Sequence, residues 1–364
     1  MRIQLPALLS LLSLAALTGC GGSSSAPYVS EIQASQLAYG QATQFSVVGS
    51  NLATGINVTA KGCSSFTTPA AATNSGSTWN CAVDAVGTGA VSVQVSTATG
   101  EVLLSKSFDI PAPSTPVVLS IKSDSLMYSK SAQFTMTGYS LDKDFNVSTK
   151  NCKGLALVTG GSSTSKSVTC NVGAVGTGAI SFEAKMADGT VLKSASFDVP
   201  NPQIKMVTNL GTLTLELNPT AAPITSTNFL QYVNDKFYDN TIIHRIVTSG
   251  IFVAQGGWLT PAPAVQPGQR AAISLEVGKG LSNAKGTIAM ARSSDLNSAT
   301  SQFFFNLADN TALDTANGGY AVFGKVISGS SVLDALAIAP TSTQYGLSDF
   351  PSQSFIVQSV TQTQ

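Results

Sequence analysis

Apolar and polar positions alternate with a period of two through the first half of the chain. Residues 91–95, Val-Ser-Val-Gln-Val, are typical of these runs, and the alternation stops at glycine-containing pairs such as 99–100 and 188–189. Such alternation puts one face of a strand in a core and the other in solvent, and the glycine pairs favour hairpin turns. The pattern therefore predicts antiparallel β-structure from residue 27 to residue 200.

This region repeats itself with a shift of 89 residues (152 − 63). The matching positions include Tyr39 and Tyr128, Cys63 and Cys152, Cys81 and Cys170, and 85–90 and 174–179. A repeat with so few gaps indicates a tandem duplication. Units of this length and pattern are typical of small Ig-like β-sandwiches, which we expect at residues 27–111 and 116–200. The proline-rich connections at 111–116 and 200–202 predict semi-rigid spacers.

Four cysteines lie in the duplicated region, at equal spacings of 18 (81 − 63 and 170 − 152). Because the unit must have been stable before it was duplicated, we predict the disulfides Cys63–Cys81 and Cys152–Cys170, formed in an oxidising compartment. Trp79 lies two residues before Cys81, on the same face of its strand. We expect a core role for Trp79 rather than ligand binding, since an apolar residue, Val168, replaces it in the second copy.

The N-terminus has the features of an export signal. Arg2 precedes an apolar run over residues 5–17 that is too short to span a bilayer. The following Leu-Thr-Gly-Cys at 17–20 resembles the bacterial lipoprotein signal, which implies cleavage after residue 19 and lipidation of Cys20. The alternative is a plain signal peptide cut near residue 16. Residues 20–26 are then a lipidated cysteine with a flexible Gly/Ser tether.

Position 21 bears on the destination of such a lipoprotein. Gly21 is not the aspartate that usually retains these proteins at the inner membrane. We therefore expect a lipid-anchored protein of the bacterial cell envelope, on the periplasmic face, with the outer membrane favoured.

Charge and composition narrow the possible partners. Only 10% of residues are charged and the formal net charge is zero, which gives no electrostatic reason to expect nucleic acid. One histidine, no thiol left after the disulfides and no phosphate-binding loop predict no metal and no other cofactor. We expect a monomer.

Residues 203–364 combine strand and helix patterns. Leu213, Leu215 and Leu217 alternate as in a strand, while residues 225–233 form an amphipathic helical pattern for which a polar N-cap is expected. Periodicity alone predicts a mixed α and β domain in which β dominates.

Four blocks in this region carry a family resemblance. They are Phe237–Arg245, Phe252–Gly257, Gly286–Asn306 and Tyr320–Lys325. In sequence and order they resemble cyclophilin-type peptidyl-prolyl cis-trans isomerases. The resemblance implies a closed eight-stranded β-barrel with two helices and catalysis of rotation about X-Pro bonds. The whole chain is then mainly β.

Arg245 matches the family's catalytic arginine in the His-Arg pair of the first block. Its guanidinium is always charged and has directed N–H donors, and the alternative is a salt bridge to one of the domain's acids. The adjacent His244 is expected to be structural rather than a general base, because rotation of an amide transfers no proton.

The resemblance also implies a substrate groove. Phe252, Val253, Phe304 and Leu313 would form the proline pocket, Gln255 and Gln302 would contact the substrate backbone, Ala291 and Arg292 would form a wall, and Ala312 and Tyr320 would lie at its edge. Alternation along the strand supports part of this assignment, because Gln302 and Phe304 share one face while Phe303 and Phe305 share the other.

Several positions depart from the family pattern. The stretch 246–251 is two residues longer than usual and lacks a proline, and Val253 replaces a common methionine. Ala312 stands where the family has an aromatic residue, and the loop after Asp314 is short. We expect isomerase activity, with a lower affinity for substrate than is typical of the family.

Two other functions remain open at this point. One is a proline-binding chaperone or scaffold with low turnover, and the other is a surface adhesin that binds through the β repeats. For the isomerase, the expected partners are proline-containing, unfolded or partly folded exported proteins.

Overall fold

The structure is a computed structural model that describes residues 25–67 and 72–364. The expected signal peptide (1–19), Cys20 and the tether up to residue 24 lie outside the described residues. Within the described residues, no helix has both the length and the apolar character needed to cross a membrane.

The first repeat is a sandwich of two antiparallel sheets. Its strands are β1 (Tyr28–Ala34), β2 (Ala42–Ser50), β3 (Ile56–Lys61), β4 (Cys63–Thr67), β5 (Gly76–Val83), β6 (Gly87–Thr97) and β7 (Val102–Ile110). One sheet has the order β1-β2-β5-β4 and the other β3-β6-β7. This four-plus-three order is that of constant-type Ig domains, in agreement with the fold expected from the strand pattern.

The second repeat has the same topology. Its strands are β8 (Val117–Ser123), β9 (Ser131–Tyr139), β10 (Asn146–Lys150), β11 (Cys152–Leu157), β12 (Ser165–Val172), β13 (Gly176–Lys185) and β14 (Val191–Val199). They form the sheets β8-β9-β12-β11 and β10-β13-β14. The strands β8, β9, β12 and β14 begin and end 89 residues after β1, β2, β5 and β7, so the duplication in sequence is a duplication in structure.

Each repeat contains the predicted disulfide. Cys63 bonds to Cys81 and Cys152 to Cys170. Each bridge joins neighbouring strands of one sheet, unlike the inter-sheet bridge of antibody domains. Trp79 is buried in the first core beside Cys81, which confirms its expected core role.

The third region is a closed barrel of eight antiparallel strands. They are β15 (Gln203–Thr208), β16 (Gly211–Leu217), β17 (Thr241–Ser249), β18 (Ile251–Gly256), β19 (Thr287–Met290), β20 (Phe303–Asn306), β21 (Val322–Ser328) and β24 (Phe355–Gln362). The order around the barrel is β15-β16-β21-β19-β20-β18-β17-β24. A hairpin of β22 (Thr341–Gln344) and β23 (Leu347–Pro351) precedes the last strand, and the helices are α1 (Pro223–Asn234) and α2 (Ser330–Ala337).

Alternation along the strands fills the barrel. Leu213, Leu215 and Leu217 point into the core, as their spacing predicts. Phe303 and Phe305 are buried in the same core, and Phe303 packs edge-to-face on Phe229 of α1. The helix α1 thus packs on the barrel through an aromatic contact.

The N-terminus of α1 differs from the expectation of a local polar cap. The preceding residue, Ala222, has no side chain that can cap. Instead, the carboxylate of Glu276 accepts hydrogen bonds from the backbone N–H groups of Ile224 at 3.1 Å and Thr225 at 2.7 Å. A carboxylate is favourable here because the helix dipole and its free N–H groups both attract negative charge. The expected cap was wrong because the partner lies about fifty residues away.

The second repeat and the barrel form one compact unit, residues 114–364, and the described residues up to Pro113 form another. The hydroxyl groups of Tyr128 and Thr227, on α1, lie 2.9 Å apart, and Gln362 donates to the carbonyl of Tyr128 at 3.1 Å. Buried residues of the repeat and the barrel also belong to one hydrophobic cluster. The second repeat is therefore packed on the barrel, a contact that the proline-rich spacer did not predict.

Candidate active site

A cavity of about 120 Å³ opens on the outer surface of the barrel, where β17, β18 and β20 lie side by side. It is lined by Arg245, Ile251, Val253, Gln255, Ala291, Arg292, Phe304, Leu313 and Tyr320. Eight of these nine residues were predicted from the sequence. The structure thus brings together residues that are spread over about 75 positions of the chain.

The floor of the cavity is apolar. Val253, Phe304 and Leu313 are buried and pack together in a small cluster that is separate from the barrel core. The ring of Tyr320 meets Phe304 edge-to-face, with 5.8 Å between ring centroids. Such a surface can hold a small hydrophobic ring, and burying that ring would be favourable.

Strand register explains how the barrel presents these groups. Gln255 on β18 pairs with Phe304 on β20. Because neighbours along a strand face opposite ways, Phe304 lines the cavity while Phe303 and Phe305 fill the barrel. This two-sided use of β20 confirms the alternation read from the sequence.

Three predicted residues do not line the cavity. Gln302 accepts a hydrogen bond from the side-chain amide of Gln255 at 2.8 Å and so lies next to it. Ala312 is exposed on a 3-10 turn, Thr311–Asp314. Phe252 is 39% exposed, and it occupies the opposite face of β18 from Val253.

Ile251 lines the cavity although it was not predicted. The period of two would have found it, because Ile251, Val253 and Gln255 share one face of β18. The second family block begins at Phe252, and for that reason the residue just before it was missed.

A chain of polar side chains lies behind the floor. Asn310 donates to Asn306 at 2.8 Å, Asn306 to Asn283 at 3.1 Å, and Asn283 to Asp314 at 2.8 Å. Asn310 also exchanges two hydrogen bonds with the backbone of Phe252. The chain therefore ties the start of β18 to the turn that carries Leu313, and nothing in the sequence pattern had indicated it.

Asp314 is the last residue in this series of hydrogen-bonded side chains, and its carboxylate is negatively charged. Burial raises the pKa of its carboxyl, but hydrogen bonds from Ser282 and from the backbone and side chain of Asn283 outweigh that effect, so the pKa lies below its ordinary value. The negative charge strengthens these hydrogen bonds and holds the turn next to the cavity.

Arg245 lies at the rim of the cavity, on β17. Its Nε atom is 3.5 Å from a carboxylate oxygen of Asp349, and both side chains are 39% exposed. The salt bridge that the sequence left open as an alternative is thus present, but it does not remove Arg245 from the cavity.

Comparison with known proteins points to one family. The model of the family described as cyclophilin type peptidyl-prolyl cis-trans isomerase/CLD matches residues 203–362. A peptidyl-prolyl cis-trans isomerase of Acinetobacter baylyi is 46% identical over 149 residues, which cover 40% of this chain and 77% of that protein. The chain belongs to the cyclophilin-type peptidyl-prolyl cis-trans isomerases.

Two further matches cover a similar share of the chain. Peptidyl-prolyl cis-trans isomerase cyp18 of Streptomyces antibioticus is 43% identical over 161 residues, 43% of this chain and 95% of that protein. A crystal structure of a cyclophilin type peptidyl-prolyl cis-trans isomerase from Cryptosporidium parvum, in the presence of the dipeptide Ala-Pro, is 28% identical. It covers 44% of this chain and 99% of its own, with a TM-score of 0.38.

Arg292 forms one wall of the isomerase cavity. Its guanidinium donates hydrogen bonds to the carbonyl oxygens of Asn317 at 2.6 Å and Gly319 at 2.9 Å. It also lies over the ring of Tyr320, 4.6 Å from the centroid. These contacts fix the loop before Tyr320, so Arg292 shapes the wall through hydrogen bonds and ring contact.

His244 is buried on the other face of β17. It is 3% exposed, and its ring meets Trp258 edge-to-face at 5.3 Å. Burial, followed by the positive charge of Arg245, lowers the pKa of His244 from 6.5 to about 4. Its Nδ1 atom has no hydrogen-bond partner among the described residues. These surroundings favour the structural role over a general base.

We predict that His244 makes the isomerase domain sensitive to acid. The unfolded chain would bind a proton near pH 6.5, whereas the folded one would bind it only near pH 4. The free energy of unfolding is therefore not reduced by this histidine above about pH 6.5. It falls as the pH is lowered towards 4, by at most about 3 kcal/mol. Urea unfolding at several pH values, followed by Trp258 fluorescence in a Trp79→Phe background, measures this.

The control is His244→Phe in the same background. Because His244 is the chain's only histidine, this variant should lose much less stability between pH 6.5 and 4.5. Equal pH dependence of the two proteins would refute the buried neutral histidine.

Proposed function

We propose that this isomerase accelerates X-Pro rotation in exported proteins without a covalent step and with the help of Arg245. The observation that carries the proposal is the cavity itself, where a buried apolar floor lies beside a guanidinium at the rim. A chaperone with low turnover would need only the apolar floor to bind proline. The guanidinium beside the floor therefore favours a catalytic function over the chaperone.

The reaction explains why these two elements suffice. An X-Pro amide rotates over a barrier of about 18–20 kcal/mol, and no bond is made or broken. In the twisted state conjugation is lost and the lone pair of the nitrogen becomes able to accept a hydrogen bond. A catalyst must therefore bind the twisted amide more tightly than the planar one.

Each part of the cavity has a role in that scheme. Val253, Phe304 and Leu313 would hold the proline ring, while Gln255 offers its side-chain amide to the flanking backbone. Arg245 would donate an N–H to the prolyl nitrogen as the amide twists. The donor is charged in both states and already in place, so the interaction gains strength only where the lone pair appears.

We expect Arg245→Ala to lower kcat/KM by about two to three orders of magnitude, as is typical when a preorganised transition-state donor is removed. A protease-coupled assay on X-Pro peptides measures the change. Arg270→Ala is the matched control, because Arg270 pairs with Asp235 on the surface and should leave the rate within about twofold. If a folded Arg245→Ala protein kept the wild-type rate, the catalytic role of Arg245 would be wrong. If the wild-type protein bound the peptide with hardly any acceleration of X-Pro rotation, the chaperone with low turnover would be the better description.

We further propose that the protein is a monomer, anchored by lipid in the bacterial cell envelope, with the outer membrane favoured. The support is the sequence around Cys20 together with two disulfides in the repeats, since disulfides persist in oxidising compartments. Its substrates would be proline-containing exported chains that are unfolded or partly folded.

Cys20→Ser tests the anchor. We expect the wild-type protein to be lipidated and to fractionate with the membrane. The Cys20→Ser variant cannot be lipidated, so it should incorporate no labelled palmitate and should keep an uncleaved N-terminus. Ser23→Ala is the control and should behave as the wild type. Palmitate incorporation into the Cys20→Ser variant would rule out the proposed lipidation site.

A further inference from the structure

The hairpin β22–β23 brings one acid to the edge of the active site. Tyr345 and Gly346 at its tip have φ of 54° and 75°, the left-handed pair that tight two-residue hairpins need. Asp349 on β23 also has a left-handed backbone, with φ of 58°. Such a conformation is uncommon outside glycine, although aspartate tolerates it better than most residues.

The hairpin is held firmly beside β17. Phe350 is buried and packs with Ile242 and Leu259, and its ring meets Tyr345 at 5.4 Å. Ile242 lies on the same strand as Arg245. The position of the hairpin relative to Arg245 is therefore fixed by a small core of its own.

The contact between the two charges leaves the end of the guanidinium free. Asp349 approaches Nε of Arg245, at 3.5 Å. Within residues 25–67 and 72–364, no other carboxylate pairs with Arg245, and no hydrogen bond occupies its terminal nitrogens. The carboxylate thus restrains the side chain from one side, while the terminal N–H groups remain available to the cavity that Arg245 lines.

We propose that Asp349 is a positioning residue for catalysis, one that holds the guanidinium of Arg245 in the orientation that reaches the prolyl nitrogen. The inference rests on the proposed function of Arg245. An arginine side chain is long and has many rotamers, and a donor works best when it is already oriented. Because the pair is exposed, the restraint is modest and weakened by salt.

Substitutions at position 349 can separate positioning from folding. Asp349→Gly removes the carboxylate and also relieves the left-handed backbone, so the protein should be at least as stable as the wild type. Asp349→Asn keeps an acceptor oxygen and tolerates the same backbone. We expect kcat/KM to fall roughly three- to tenfold in the glycine variant, with peptide Kd changed less than twofold, and to recover in part in the asparagine variant.

The decisive experiment is a double-mutant cycle on the full chain with Arg245→Ala and Asp349→Gly, using a protease-coupled assay and a peptide titration. In the Arg245→Ala background, Asp349→Gly should change the rate less than twofold. In the wild-type background its effect should shrink between 0.1 M and 1 M salt. Asp334→Ala, which removes an exposed carboxylate paired with Lys285, is the control and should have no effect on the rate.

Three outcomes overturn the proposal. An active Asp349→Gly protein with the wild-type rate, or an equal loss in both backgrounds, shows that Asp349 does not act through Arg245. In either case a large effect of Arg245→Ala alone leaves the proposed function intact. If Arg245→Ala itself has no effect on the rate, both the proposed catalytic role of Arg245 and the positioning role of Asp349 are wrong.

Discussion

The closed pairing of eight strands is the constraint on which the active site depends. With no free edge, each strand has one face in the barrel core and one on the outside. On β20 the consequence is direct, since Phe303 and Phe305 stabilise the core and leave Phe304 to form the floor of the cavity. The same residues that make the barrel stable therefore fix the position of the groove.

Much of this followed from the sequence, because it depends on short-range pattern. The period of two predicted the facing of Phe304 and the strand of Leu213 to Leu217. The duplication gave the disulfide pairs, since a repeated unit must contain its own partners. The family blocks contain seven of the nine residues that line the cavity, and the family resemblance also implied Leu313, although periodicity alone did not predict a barrel.

What the sequence missed are contacts between distant segments. Glu276 caps α1 from about fifty residues away, and Asp349 reaches Arg245 from a hairpin more than one hundred residues downstream. The packing of Tyr128 against Thr227 joins the second repeat to the barrel. Polar contacts of this kind follow no sequence periodicity, so only the folded structure pairs their partners.

The central claim is that an X-Pro peptide binds with its proline ring over Phe304 and its prolyl nitrogen facing the end of Arg245. The most direct measurement is a crystal structure of the full chain with a bound X-Pro peptide. The account predicts the ring against Val253, Phe304 and Leu313, and a terminal nitrogen of Arg245 within hydrogen-bond reach of the prolyl nitrogen. A proline bound elsewhere, or an Arg245 turned away from it, would contradict the account.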